Sequence, residues 1–188
     1  MKKILLIASM ALAGAAAFAQ PKFAHVNFSE LVQLMPEADQ ARATMAAASK
    51  EAQETYQAME DEFNTKYQQY QQKAATWTAA IRETKEKELT DLQQRIQEAG
   101  QTFQAELQQQ QQQLMAPIYK KAQDTLNELA KAGGYIYVFD VTAALYTDPA
   151  QSTDLTPEAR KALNIPEDRT IESLQAELQA QQQAAAQE

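Results

Sequence analysis

The chain has 188 residues, a formal net charge of −8, a single histidine and no cysteine. Without cysteine there is no disulfide framework, so stability has to come from packing or from association with other chains. The acidic balance leaves no basic patch to track phosphates, which argues against nucleic acid as a partner.

Met1-Lys2-Lys3, the apolar run Ile4 to Ala17 and the small-x-small end Ala17-Phe18-Ala19 read as a signal peptide over residues 1–19, cut after Ala19. The expected destination is the periplasm. The run is shorter than the roughly 20 residues that span a bilayer, and no Cys follows the cut to carry a lipid. Any membrane association is therefore expected to be peripheral at most. Loss of Lys2 and Lys3 takes the formal charge from −8 to −10. Scarce glycine, abundant Gln and Ala and a mean hydropathy of −0.53 favour long helices over a layered core.

Lys22 to Phe28 alternates as a short strand, with Phe23, His25 and Asn27 on one face and Ala24, Val26 and Phe28 on the other. Ser29 is the expected N-cap of a turn reaching Met35, and Pro36-Glu37 presets the start of a helix. From Ala41 through Met45, Tyr56, Phe63, Tyr67, Tyr70, Trp77 and Ile81 the apolar positions recur every three or four residues, and no Gly or Pro lies between Pro36 and Gly100.

A second stripe runs from Leu89 through Leu92, Ile96, Phe103, Leu107, Leu114 and Ile118 to Leu129, ending at Gly133-Gly134. Two equal antiparallel arms of about 45 residues, each roughly 65 to 70 Å long, would reverse at the charged stretch Ile81 to Lys87. Pro117 is expected to kink the second arm. Tyr135-Ile136-Tyr137-Val138-Phe139 reads as a buried strand ended by Asp140, Ala143 to Tyr146 as a further strand, and Thr156 to Leu163 as a short helix. The Gln/Ala-rich tail, 166–188, is expected to be a weak helix or disordered.

The expected fold is thus mainly α with a small β part. Residues 20–35 and 133–165 make a β-rich association domain, and 36–132 a helical hairpin. Catalysis finds no support in one His, no Cys, no Gly-rich phosphate loop and no G-x-S-x-G context. His25 has no second imidazole with which to share a metal, and Glu60-Asp61-Glu62 points around a helix instead of converging as a calcium loop does. No catalytic, cofactor or metal residue is assigned. Gln108 to Gln113 is either a polar helix face or a flexible stretch.

Phe23-Ala24-His25-Val26-Asn27 leading to Met35-Pro36-Glu37, the segment Gly134 to Asp140, Leu145-Tyr146 and Asp154-Leu155-Thr156 together resemble the Skp/OmpH family of periplasmic chaperones, over about Phe23 to Ile165. Leu114-Met115-Ala116-Pro117-Ile118 is similar to the kinked arm of members with the same proline. The resemblance implies a small barrel formed by the strands of three copies, with three hairpins projecting as tentacles around a cavity for unfolded outer-membrane proteins. It departs from the family in charge: relatives have basic arms, whereas Met45 to Met115 here carries seven Lys or Arg against eleven Asp or Glu. No lipopolysaccharide-binding residues are carried over.

The reading that results is an ATP-independent holdase without cofactor, acting as a homotrimer. Val26, Phe28, Ile136, Val138 and Leu145 are the candidates for assembly, and Tyr67, Tyr70, Trp77 and Phe103 for client contact. The alternative is a coiled-coil spacer or scaffold of the cell envelope.

Overall fold

The computed structural model describes residues 21–185. The expected signal peptide and its cleavage site lie outside the described residues. Strand β1 (Lys22–Val26) leads into helix α1 (Phe28–Leu34) and then α2 (Pro36–Lys73). A 3-10 turn (Ala74–Thr76) separates α2 from α3 (Ala79–Gly133). Strand β2 (Tyr135–Asp140), a second 3-10 turn (Val141–Ala143), strand β3 (Ser152–Asp154), helix α4 (Thr156–Ala162) and helix α5 (Ile171–Ala185) complete the chain.

Capping chemistry decides several of these boundaries. Asn27, not Ser29, caps α1: its side-chain oxygen accepts from the Glu30 backbone N–H at 3.1 Å, and its amide donates to the Glu30 carboxylate at 3.0 Å. The first bond satisfies one backbone donor that the first turn leaves free, and the second, side chain to side chain, holds the Asn27 amide in place. Ser29 lies one residue inside the helix and accepts from Gln33 at 2.9 Å. Met35 is extended, and Pro36 opens α2 at the position where its missing N–H costs nothing.

The reversal falls at Ala74 to Thr78, and not at Ile81 to Lys87, which lie in the first turns of α3. It needs neither glycine nor proline. Trp77 is extended, and the Thr78 hydroxyl accepts from the Ile81 N–H at 3.4 Å, so a side-chain cap starts the new helix. The two long helices are unequal, with 38 residues in α2 and 55 in α3, roughly 57 and 82 Å at the standard rise. α3 runs through Pro117 to Gly133, although the carbonyl one turn before that proline loses its usual donor.

Gly134 ends α3 in the left-handed region, at φ +70°, where a Cβ is disfavoured. Gly134→Ala should cost about 1 kcal/mol, read as a lower urea midpoint at unchanged slope.

The sheet has the order β2-β1-β3 with all strands parallel, Ala24 pairing with Val138 and Thr153. Parallel neighbours require a crossover, and between β1 and β2 that crossover is the whole of α1, α2 and α3. The third strand is Ser152–Asp154, where Ala143 to Tyr146 had been expected to supply one. Two local caps turn the chain away there: the Asp140 carboxylate accepts from the Thr142 N–H at 3.0 Å, and Asp148 from the Ala150 N–H at 2.9 Å.

Ala24 and Val26 point inward from β1 onto a core built from Leu31, Val32, Leu34, Met35, Ala38, Ile118, Ala122, Leu126, Ala159, Leu163 and Ile165. Burying each of the larger of these side chains contributes roughly 1.5 to 3 kcal/mol. Leu174 is also buried in this core, and Ile171 and Leu178 pack against it, so the segment beyond Pro166 folds as a helix on the base. Arg169 ties it down, donating to Asp39 at the root of α2 at 2.6 Å and to Glu177 at 3.4 Å. Arg160 donates to Glu30 at 3.0 Å and to the carbonyl oxygens of Pro166 and Arg169.

Candidate functional site

Two regions carry apolar side chains that the chain does not bury: the outer face and loop of the base, and the paired helices. In β2 the alternation puts Val138 on the core side and Tyr137 and Phe139 on the opposite face, beside Phe23 of β1. The Phe23 and Tyr137 rings stack with centroids 6.3 Å apart, and Tyr137 and Phe139 lie 5.8 Å apart. β2 is also an edge strand, and an exposed edge with an apolar face invites pairing with another chain.

The residues singled out for assembly divide on this geometry. Val26 is buried, and Val138 and Phe28 pack against the chain's own core. With Leu126 they line a groove of about 270 Å³. Ile136 is 55% exposed, and Leu145 projects from the loop after the second 3-10 turn, fully exposed. Tyr137, Phe139 and Tyr146 are large, exposed and adjacent to them. The run Tyr135 to Phe139, expected to form a buried strand, is instead open on the side of Tyr137 and Phe139, whose spacing of two puts them on one face.

His25 shares the outer face and meets the Ser152 hydroxyl at 2.8 Å. Among the described residues no group of three or more His, Asp or Glu side chains is placed to hold a metal, and no helix is long and apolar enough to cross a membrane.

Along the paired helices, contacts run in opposite sequence order. Glu37 meets Lys121, Ala48 and Ala52 face Phe103 and Leu107, and Lys66 meets Glu88. Beyond the root, Leu92 is the one buried side chain among the described residues of these two helices. Of the residues considered for client contact, Tyr67 is the most open, 44% exposed and stacked on Phe63 at 6.0 Å. Tyr70 and Trp77 form an edge-to-face pair at 6.0 Å that braces the reversal, and the Tyr70 hydroxyl donates to Glu86. Phe103 is half-buried in the seam.

Electrostatics are concentrated next to the reversal. Hydrogen bonds from Lys66 and then Lys85 bring the Glu88 carboxyl down from 4.5 to about 2, and the Glu88 hydrogen bond raises the Lys66 ammonium. The hydrogen bond to Glu86 likewise raises the Tyr70 hydroxyl, and at the root the Lys121 hydrogen bond lowers Glu37. A carboxyl depressed by folding stabilises fully above its unfolded value of about 4.5 and ceases to do so as the pH falls through about 2. Trp77 is the single tryptophan, so its fluorescence reports this region. It should change between about pH 4.5 and 2 by a small, salt-sensitive amount, and Glu88→Gln should flatten that response.

The structure is a small parallel sheet that carries two long, thinly packed helices. Residues 22–163 match the family described as "Outer membrane protein (OmpH-like)", and the chain belongs to that family. It is 31% identical to the chaperone protein Skp of Yersinia enterocolitica over 163 residues, covering 86% of this chain and 98% of that one. It is 27% identical to the chaperone protein Skp of Pectobacterium atrosepticum, with the same coverage. The crystal structure of an OmpH-like protein from Caulobacter crescentus shares the fold, with a TM-score of 0.68 at 17% identity, over 81% of this chain and 92% of the other.

Proposed function

We propose that the chain is a periplasmic chaperone for unfolded outer-membrane proteins, an ATP-independent holdase that acts as a homotrimer and performs no catalysis. The observation that carries this reading is the near absence of buried side chains along α2 and α3 beyond their roots. Two slender helices leave their rings half-open, and half-open rings on a long surface offer many weak apolar contacts to an unfolded chain. The names of the relatives from Yersinia and Pectobacterium point the same way.

In this reading α2 and α3 form an antiparallel hairpin, a tentacle, supported by the Glu37–Lys121 and Lys66–Glu88 pairs at its two ends. The open face and loop of the base join copies through Tyr137, Phe139, Leu145 and Tyr146, together with Ile136, which is exposed where the β1–β2 register shifts, while Val26, Phe28 and Val138 hold the sheet on its own core. Pooling strands from three chains would cover the edge of β2 and supply the barrel. Tyr67, and behind it Tyr70, Trp77 and Phe103, face the client in the cavity between tentacles. Holding requires no nucleotide, because binding the unfolded state alone lowers the free concentration of chain that aggregates.

The deciding experiment is the native mass of the chain from Gln20 to Glu188 by analytical ultracentrifugation, alone and after adding a urea-unfolded outer-membrane β-barrel protein. A trimer that takes up one client supports the holdase. A monomer or dimer indifferent to the client would instead favour an envelope spacer.

A further inference from the structure

The family match ends at residue 163, yet the chain beyond it folds back onto the base. Thr170 and Ser173 cap α5 reciprocally: the Thr170 N–H donates to the Ser173 hydroxyl at 3.0 Å, and the Ser173 N–H to the Thr170 hydroxyl at 3.1 Å. Ile171, Leu174 and Leu178, at spacings of three and four, share one face of the helix. That face lies against α1, with Leu174 only 4% exposed in the core of the base. From Gln179 to Ala184 every residue is exposed, so the first two turns are the anchor.

The arm has two soft joints where it leaves this base. A single extended residue, Met35, separates α1 from α2, and Pro117 deprives α3 of one backbone hydrogen bond. Glu37, Ala41 and Pro117 line one groove, so a bend at the proline moves the root of α2. Side chains bridge the Met35 joint from both directions. Arg42 of α2 reaches back to the Gln33 carbonyl oxygen at 3.1 Å. Arg169, between α4 and α5, reaches forward to the Asp39 carboxylate in the first turn of α2 at 2.6 Å, and Arg42 donates to the same Asp39 oxygen.

Arg169 is itself held in place. Its side chain is 16% exposed and donates to Glu177 of α5 at 3.4 Å. Its carbonyl oxygen accepts from Arg160, which also donates to Glu30 of α1. Charge-assisted hydrogen bonds therefore run from α1 through Arg160 and Arg169 to the root of the arm. Among the described residues the Arg169 Nε is buried without a protein partner. Burying a guanidinium with an unmatched donor costs stability; what the arrangement supplies is one position for Asp39 relative to the base.

We infer that residues 166–185 are a clasp that fixes the direction in which the arm leaves the base, Arg169 pinning the first turn of α2 to a helix rooted in the core. With the clasp closed the root of α2 cannot move; with it open the arm swings about Met35 and Pro117. The inference stands apart from the holdase reading, under which the same clasp sets how far the tentacles spread.

The chain has no cysteine, so introduced thiols can be labelled without ambiguity. Gln53→Cys on α2 and Lys161→Cys on α4, both exposed, carry nitroxides, and pulsed electron paramagnetic resonance reads the distance distribution with labelled chains diluted in unlabelled ones. Arg169→Ala and Asp39→Ala remove the pin from its two ends, and each should widen the distribution about twofold at unchanged helicity and native mass. Lys120→Ala, which breaks only the exposed pair with Asp124 within α3, should leave it as narrow as in the parent. A distribution that stays narrow in either pin variant, once that variant is shown to be folded, overturns the clasp. Equal widening by Lys120→Ala overturns it too, because the arm would then soften at any lost ion pair. No client enters the measurement, so its failure leaves the holdase reading where it was.

Discussion

Leu31→Ala is expected to destabilise the base by about 2 to 5 kcal/mol, the range for deleting a buried leucine side chain from a packed core. Leu31 is fully buried at the centre of α1, in a core whose other members come from β1, the roots of α2 and α3, and α4 and α5. Six elements converge there, so the cavity cannot close by moving one of them, and the cost should fall in the upper part of the range. Urea unfolding followed by far-ultraviolet circular dichroism measures it. A loss below about 1 kcal/mol would show that the base repacks around the deletion. The same truncation at Leu107, half-exposed in the seam of the arms, should cost far less.

Ile136→Asp is expected to turn the assembly into folded monomers and to abolish holding. The side chain is more than half exposed in a single chain, so a carboxylate there is hydrated in the monomer and desolvated only where copies meet. Val138→Asp makes the instructive contrast. Val138 packs on the chain's own core, so an acid there removes fold and assembly together and reveals nothing about the interface. Sedimentation and circular dichroism on both variants separate the two effects. An Ile136→Asp protein that still sediments as a trimer would remove this residue from the assembly surface.

Most of the architecture was legible because its signals are local. The stripes spaced by three and four, Pro36 at a helix start, Gly134 after a helix end and the β-branched run before Asp140 each act within a few residues. What was missed depends on side chains that choose between local partners. Asn27 and Ser29 are both good caps, and the choice went to Asn27 because Glu30 lies where it can complete a reciprocal pair. The reversal at Ala74 to Thr78 carries no breaker residue; it is fixed by a Thr cap and by the Tyr70–Trp77 ring pair, a contact across the turn that periodicity does not encode. Leu145-Tyr146 looked like a strand because its residues suit one, but Asp140 and Asp148 cap the turns on either side.

The candidate surfaces were less legible for a related reason. A stripe announces that a face is apolar but not which partner covers it. In sequence Val26 and Val138 are of the same kind as Ile136; in the fold Val26 is buried, Val138 packs partly buried against the core, and Ile136 is exposed. The charge count of the arms was plain from the start.

The crossover between β1 and β2 has a consequence for how the molecule is made. β1 leaves the ribosome more than a hundred residues before the strand it pairs with, so no sheet can form during most of synthesis. Closing so long a loop by random search is slow. Zipping α2 onto α3 from the Trp77 turn downward would shorten that search, drawing the two strands together one helical turn at a time. In the holdase reading, the arms proposed to hold other chains would first serve as the folding guide for their own base, and damage at the tip should delay the sheet at the far end.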